Sequence, residues 1–206
     1  MEMSDFFQKL AAEELLPLYT ATNLDYVEAA KDVLVKNGLH FIEVTYRSDV
    51  AGEAIHKFSQ YSDLIVGAGT VKNLATAKDA VKNGAQFIVS PGFDDEVVQY
   101  CLDNHIPIVP GAVTPTEIMQ AKSFGLDVVK FFPANVYGGL KAIKSLSGPF
   151  PEMKFVPTGG VNKDNYKEFI ENPNIAAVGG SFIISEKTVM KDNGVTATKE
   201  LAELVK

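Results

Sequence analysis

Lys130 stands in the middle of an apolar run, "DVVKFFPA", with Val128 and Val129 before it and Phe131 and Phe132 after it. Lysine is rarely buried without a partner, because desolvating an unpaired ammonium is costly. A shielded amine favours its neutral form, and a neutral amine can attack a ketone to form a Schiff base. The competing reading is a lysine whose stem lies on apolar surface while its head reaches water. Apolar neighbours on both sides favour the chemical reading. Glu43, in "FIEVTYR", supplies a carboxylate. Schiff-base chemistry moves protons at the carbinolamine, at the enamine carbon and at the hydroxyl of a breaking C–C bond. One carboxylate near the amine can serve all three. Its plain alternative is a structural ion pair with Arg47 or Lys130.

Other residues could hold a substrate. Arg47 closes the Glu43 motif and Thr70 ends "GAGT". A guanidinium fork grips a carboxylate, and a hydroxyl adds a donor. A salt bridge to a helix is the alternative for Arg47. Two glycine pairs, Gly159–Gly160 in "PTGGV" and Gly179–Gly180 in "VGGSF", offer bare amides to an anion, with Ser181 adding a hydroxyl. Tight turns would explain the same pairs. Pro91, Phe132 and Thr158 end or follow apolar runs and join the candidate contacts. His40, His56 and His105 are scattered, and neither HExxH nor CxxC occurs, so no metal and no cofactor is expected.

The elements that must position these groups follow a beat. Eight short apolar stretches centre on Leu18, Val44, Val66, Ile88, Ile108, Lys130, Val156 and Val178, spaced 26, 22, 22, 20, 22, 26 and 22 residues apart. Each is rich in Val, Ile or Phe and is followed by turn-forming residues, which reads as strand then turn. The intervals read as helices. "LDYVEAAKDVLVKNG" repeats apolar residues at helical spacing and stops at Gly38. "NLATAKDAVKNG" has Asn73 as N-cap and Gly84 as stop, and "TPTEIMQAKSFG" has Thr114 or Thr116 as cap. "SDFFQKLAAEEL" predicts a further helix covering one end of the sheet.

Such a rhythm admits an open doubly wound sheet or a closed (β/α)8 TIM barrel, and the even eightfold count favours the barrel. The dinucleotide fingerprint is missing, because "GAGTVK" carries Lys72 where its third glycine belongs. Alternation places Glu43, Thr45 and Arg47 on one face of their strand, and Val128, Lys130 and Phe132 on one face of theirs. One strand thus aims a carboxylate, and another an amine, into the same interior. Arg47, Thr70, Pro91, Lys130, Phe132, Thr158 and Ser181 fall late in their strands or just beyond, where barrels of this kind keep their active sites.

The 206 residues suit one barrel domain over residues 1–206, and 46% hydrophobic with 22% charged is an ordinary globular balance. A net charge of −7 argues against nucleic acid as partner. The single cysteine, Cys101, excludes an intrachain disulfide and is expected to pack in a helix. "MEMSDFFQKL" mixes charges with apolar residues and does not read as a signal peptide. No apolar run approaches ~20 residues, so no membrane span is expected and the cytoplasm is the expected location.

"IEVTYRS", "VGAGTV", "FIVSPGF", "IPIVPG", "KFFPA", "PTGGV" and "GGSF", in order from about Leu16 to Ile183, resemble the 2-keto-3-deoxy-6-phosphogluconate (KDPG) and 2-keto-4-hydroxyglutarate (KHG) aldolases. The resemblance implies a metal-free class I lyase on a (β/α)8 barrel, assembled as a homotrimer. It implies Lys130 as Schiff-base lysine and Glu43 as general acid/base. Arg47 and Thr70 would hold the pyruvate carboxylate, and Gly159, Gly160 and Ser181 the phosphate end. The implied ligands are a keto acid and a phosphorylated or carboxylated aldehyde. Two stretches depart from the family pattern. "LPLYTAT" ends strand one without a basic residue, and "GAVTPTE" carries Val113 where a small hydroxyl residue is frequent. A phosphogalactonate aldolase, a phosphosugar isomerase or epimerase and a non-catalytic phosphometabolite-binding barrel are the alternatives.

Overall fold

A computed structural model describes residues 3–206. Met1 and Glu2, which open the stretch read as no signal peptide, lie outside the described residues. Eight strands appear at the expected beats: β1 (Leu15–Tyr19), β2 (Phe41–Thr45), β3 (Ile65–Gly69), β4 (Phe87–Val89), β5 (Ile108–Val109), β6 (Val128–Phe131), β7 (Lys154–Pro157) and β8 (Val178–Gly180). Helix α1 (Met3–Glu13) precedes them. The intervals hold α2 (Val27–Lys36), α3 (Ala51–Phe58), α4 (Leu74–Lys82), α5 (Asp95–Asp103), α6 (Pro115–Ser123), α7 (Gly139–Ser147) and α8 (Tyr166–Ile170), and α9 (Glu186–Lys191) and α10 (Val195–Leu204) follow β8.

All strand pairs are parallel. Six strands pair in the order β5-β4-β3-β2-β1-β8, and β6 pairs with β7. Isolated bridges join Gly111 to Lys130 at one seam, and Phe155 to Ile175 and Thr158 to Gly179 at the other. The result is a curled, barrel-like α/β fold. Some strands are shorter than their apolar runs. β5 keeps only two residues, because Pro107 and Pro110 on either side of it lack the amide that a ladder needs.

The buried apolar residues form two clusters. Ile42, Val44, Val66, Ile88, Val129, Phe131 and Phe155 pack with residues of the helices. Leu16, Leu18, Phe41, Phe87, Val89, Val109, Val128 and Val156, on the opposite faces of the strands, form the inner cluster with Phe6 and Leu10 of α1. Phe6 sets its ring 5.4 Å from that of Phe41 and 5.1 Å from that of Phe87. Both partners begin their strands, so α1 plugs the N-terminal end, as the sequence led us to expect of a covering helix.

Local signals explain the helix ends. Asn73 accepts from the Thr76 amide at 2.9 Å. Of the two candidate caps on α6, Thr114 is used, in a reciprocal capping box with Glu117. Gly38 and Gly84 take φ of 76° and 101°, the left-handed stop read from the sequence. Cys101 is buried in α5. Among the described residues no helix is long and apolar enough to cross a membrane.

Candidate active site

Lys130 is held through its backbone at a seam of the sheet. Its amide donates to the Pro110 carbonyl at 2.8 Å, and its own carbonyl accepts from Ala112 at 2.9 Å. On the other side it pairs with Val156 of β7. The strand therefore cannot rotate the lysine out of the interior. Its side chain is 3% exposed and that of Glu43 1%. Lys130 Nζ donates to Glu43 Oε1 at 3.3 Å and lies 5.5 Å from the Phe132 ring centroid. So the ion pair offered as the plain alternative for Glu43 exists, and with Lys130 rather than Arg47.

That pair is incomplete. At 3.3 Å it exceeds the ~2.7–2.9 Å usual for charge-assisted bonds. The other oxygen of Glu43, Oε2, is buried without a hydrogen-bond partner among the described residues. A buried carboxylate oxygen left in that state is costly, and such exceptions concentrate where function needs a free acceptor. The geometry suits a base that takes a proton from the lysine or from a ligand beside it.

Arg47 extends from the end of β2, exposed, and its Nε donates to Thr70 Oγ1 at 3.0 Å. Among the described residues it forms no ion pair with a helix. Thr70 has φ of 60°, costly for a β-branched residue and often met at functional sites. A guanidinium without a carboxylate beside a fixed hydroxyl can receive an anion.

The far side of the mouth is built by the ends of β6, β7 and β8. Ala134 donates to the Thr158 carbonyl at 2.8 Å and Asn135 to that of Gly159 at 3.1 Å, tying the loops after β6 and β7 together. Gly159 and Gly160 have φ of 85° and 80°. Any side chain on Gly159 would press on Phe132 and Pro133, and one on Gly160 on Asn135. Thr158 is buried and its Oγ1 has no hydrogen-bond partner among the described residues. Gly179 and Gly180 differ from expectation, being the last residues of β8 rather than a turn after it. Crowding explains them: a Cβ on Gly179 would stand 2.5 Å from Thr158 Oγ1, and one on Gly180 2.3 Å from the Phe182 ring. Ser181 follows, exposed. Pro91 is half-buried, and its carbonyl backs onto Gly111, where a Cβ would come within 2.3 Å of it.

Some residues at the site were missed in the sequence. Gly67 and Gly69 of "GAGT" were weighed only as a nucleotide motif. They instead leave room on the inner face of β3: a Cβ on Gly67 would meet the Phe87 ring at 2.3 Å, and one on Gly69 would meet Glu43 Oε1 at 2.0 Å. Strand alternation was the signal available. The contact between Thr20 Oγ1 and Thr45 Oγ1, 2.7 Å, was also unread.

Similarity to known proteins runs along most of the chain. The aldolase family described as KDPG and KHG aldolase matches residues 7–200. A 2-dehydro-3-deoxy-phosphogluconate aldolase of Treponema pallidum is 38% identical over 188 residues, covering 91% of this chain and 90% of that protein. A KHG/KDPG aldolase of Escherichia coli K12 is 34% identical over 183 residues, 85% of this chain and 86% of the other. The crystal structure of KDPG aldolase from Legionella pneumophila, with pyruvate captured as a covalent carbinolamine intermediate, superposes with a TM-score of 0.91. It is 35% identical, and the match covers 96% of this chain and 97% of that one.

Proposed function

The chain belongs to the KDPG and KHG aldolase family, and from that premise we propose how its own residues carry out the reaction. The protein is a class I aldolase. It cleaves 2-keto-3-deoxy-6-phosphogluconate to pyruvate and glyceraldehyde 3-phosphate, 4-hydroxy-2-oxoglutarate to pyruvate and glyoxylate, or both. The observation that carries the assignment of residues is the enclosed pair, Lys130 Nζ 3.3 Å from Glu43 Oε1 with Glu43 Oε2 unpartnered.

Glu43 takes a proton from Lys130, and the neutral amine adds to the C2 ketone. Glu43 gives that proton to the carbinolamine hydroxyl, which leaves as water, giving a protonated imine that draws electrons from the neighbouring carbon. Glu43 then accepts the C4 hydroxyl proton. The C3–C4 bond breaks, its electrons pass to the iminium to give the enamine, and the aldehyde departs. Glu43 returns the proton to C3, and water hydrolyses the iminium to free pyruvate and the amine. The side-chain arrangement supports this order, because one carboxylate touches the amine and keeps a second oxygen for the hydroxyl.

Arg47 and Thr70 hold the pyruvate carboxylate. Phe132 and Pro91 wall the keto-acid end. Thr158, Gly159, Gly160, Gly179, Gly180 and Ser181 receive the phosphate end, with bare amides and a hydroxyl in place of a cationic side chain. The reading includes a single closed (β/α)8 domain, supported by bridges at both seams. It also includes a cytoplasmic homotrimer, on the strength of family resemblance; light scattering tests the assembly. Borohydride reduction in the presence of pyruvate, with peptide mapping, tests the chemistry. The expected result is one adduct, on Lys130; no adduct, or one on another lysine, overturns the assignment.

A further inference from the structure

β1 pairs with β2 so that Leu18 faces Glu43 and Tyr19 faces Val44. One step on, Thr20 falls opposite Thr45, and their hydroxyl oxygens are 2.7 Å apart. Alternation puts Thr20 on the face of Leu18, and Leu18 belongs to the inner cluster. It likewise puts Thr45 on the face of Glu43. The two hydroxyls therefore stand one layer beyond the Lys130–Glu43 pair, toward the open end. Thr45 is 1% exposed and Thr20 is half-buried.

Two hydroxyls carry two protons, and the bond between them uses one. Among the described residues neither side chain has another partner, so the second proton is available to a ligand. The loop presenting it is held firmly. Glu186, itself buried, accepts from the Thr22 amide at 2.8 Å, from the Asn23 amide at 3.0 Å and from the Thr22 hydroxyl. The Ser48 hydroxyl donates to the Ala21 carbonyl. A donor fixed in this way loses little freedom on binding.

The next step rests on the aldolase reading. It places the substrate carboxylate at the ends of β2 and β3 and its phosphate at those of β7 and β8. The strand order β3-β2-β1-β8 puts β1 between these ends, so Thr20 borders one side of the carbon chain's path. We propose that the Thr20–Thr45 hydroxyl pair binds the C5 hydroxyl of the phosphorylated substrate, which is the C2 hydroxyl of glyceraldehyde 3-phosphate. Thr20 is thereby a specificity-determining residue for a polyol-type aldehyde.

The test runs the reaction as condensation of pyruvate with two aldehydes, glyceraldehyde 3-phosphate and its 2-deoxy analogue 3-oxopropyl phosphate. Thr20→Val should lower kcat/KM about 3–10-fold with the first, the worth of one neutral hydrogen bond, and under about 2-fold with the second. Thr20→Ser should restore the preference. Equal losses on both aldehydes, or none on either, overturn the proposal. Borohydride trapping of pyruvate on the same proteins separates the two levels. If Lys130 is labelled in all of them and the aldehydes still lose equally, only the hydroxyl contact fails. If the unmodified protein gives no adduct, the aldolase reading fails and takes this inference with it.

Discussion

A Cβ on Gly69 would fall 2.0 Å from Glu43 Oε1 and 2.6 Å from its Cδ and Cγ. Gly69 thus keeps open the volume that the Glu43 carboxylate occupies. Gly69→Ala should leave the strand paired, since alanine fits its backbone, but should push Glu43 aside. Turnover should fall by about 10²–10⁴, the worth of a positioned acid/base, and Glu43→Gln should fall by a similar factor. Circular dichroism and a pyruvate-release assay check this together. A folded Gly69→Ala protein with full activity would show that Glu43 need not stand where it does.

The enclosed pair also makes a stability prediction. Lys130→Met removes the only hydrogen-bond donor that Glu43 has among the described residues. Breaking a buried ion pair from one side costs about 3–5 kcal/mol, because the remaining charge is uncompensated. Adding Glu43→Gln removes that charge and should recover part of the loss. Urea unfolding of the single and double variants measures it, and equal stabilities would mean that the carboxylate does not depend on the lysine.

The meeting of Lys130 and Glu43 was legible in the sequence where period two could be read. Lys130 and Glu43 each sit in apolar strands, and alternation alone aims both inward. The positions of strands and caps followed from punctuation, as Asn73, Thr114, Gly38 and Gly84 illustrate. What stayed hidden depends on partners. Gly69 shows in sequence only as a missing side chain, and nothing local says that Glu43 fills the gap. Gly179 and Gly180 looked like a turn because their crowding by Thr158 and Phe182 is tertiary. The Thr20–Thr45 contact needs the register between two strands whose contacting residues lie 25 positions apart.

Cys101 has no role in the chemistry proposed here, and its environment makes a separate prediction. Burial in α5 pushes its thiol up to about 12. The thiolate is the reactive form, so the folded protein should resist iodoacetamide at pH 8 and label rapidly once unfolded. Labelling in the folded state at the rate of an exposed thiol would show that α5 opens readily.

Gly160 offers the sharpest test of the phosphate end. Its φ is 80°, and a Cβ there would stand 2.3 Å from both Cβ and Cγ of Asn135. Gly160→Ala therefore meets two obstacles, a left-handed backbone that costs alanine about 1–2 kcal/mol and a collision with the loop after β6. The loop after β7 must shift, and with it the amides proposed to meet the phosphate. KM for glyceraldehyde 3-phosphate should rise about 10-fold, in line with that strain, while unphosphorylated glyceraldehyde should be affected far less. Pyruvate should still be trapped on Lys130, because Arg47 and Thr70 lie across the mouth. A parallel rise in KM for both aldehydes would mean that Gly160 shapes the mouth as a whole and that the phosphate is bound elsewhere.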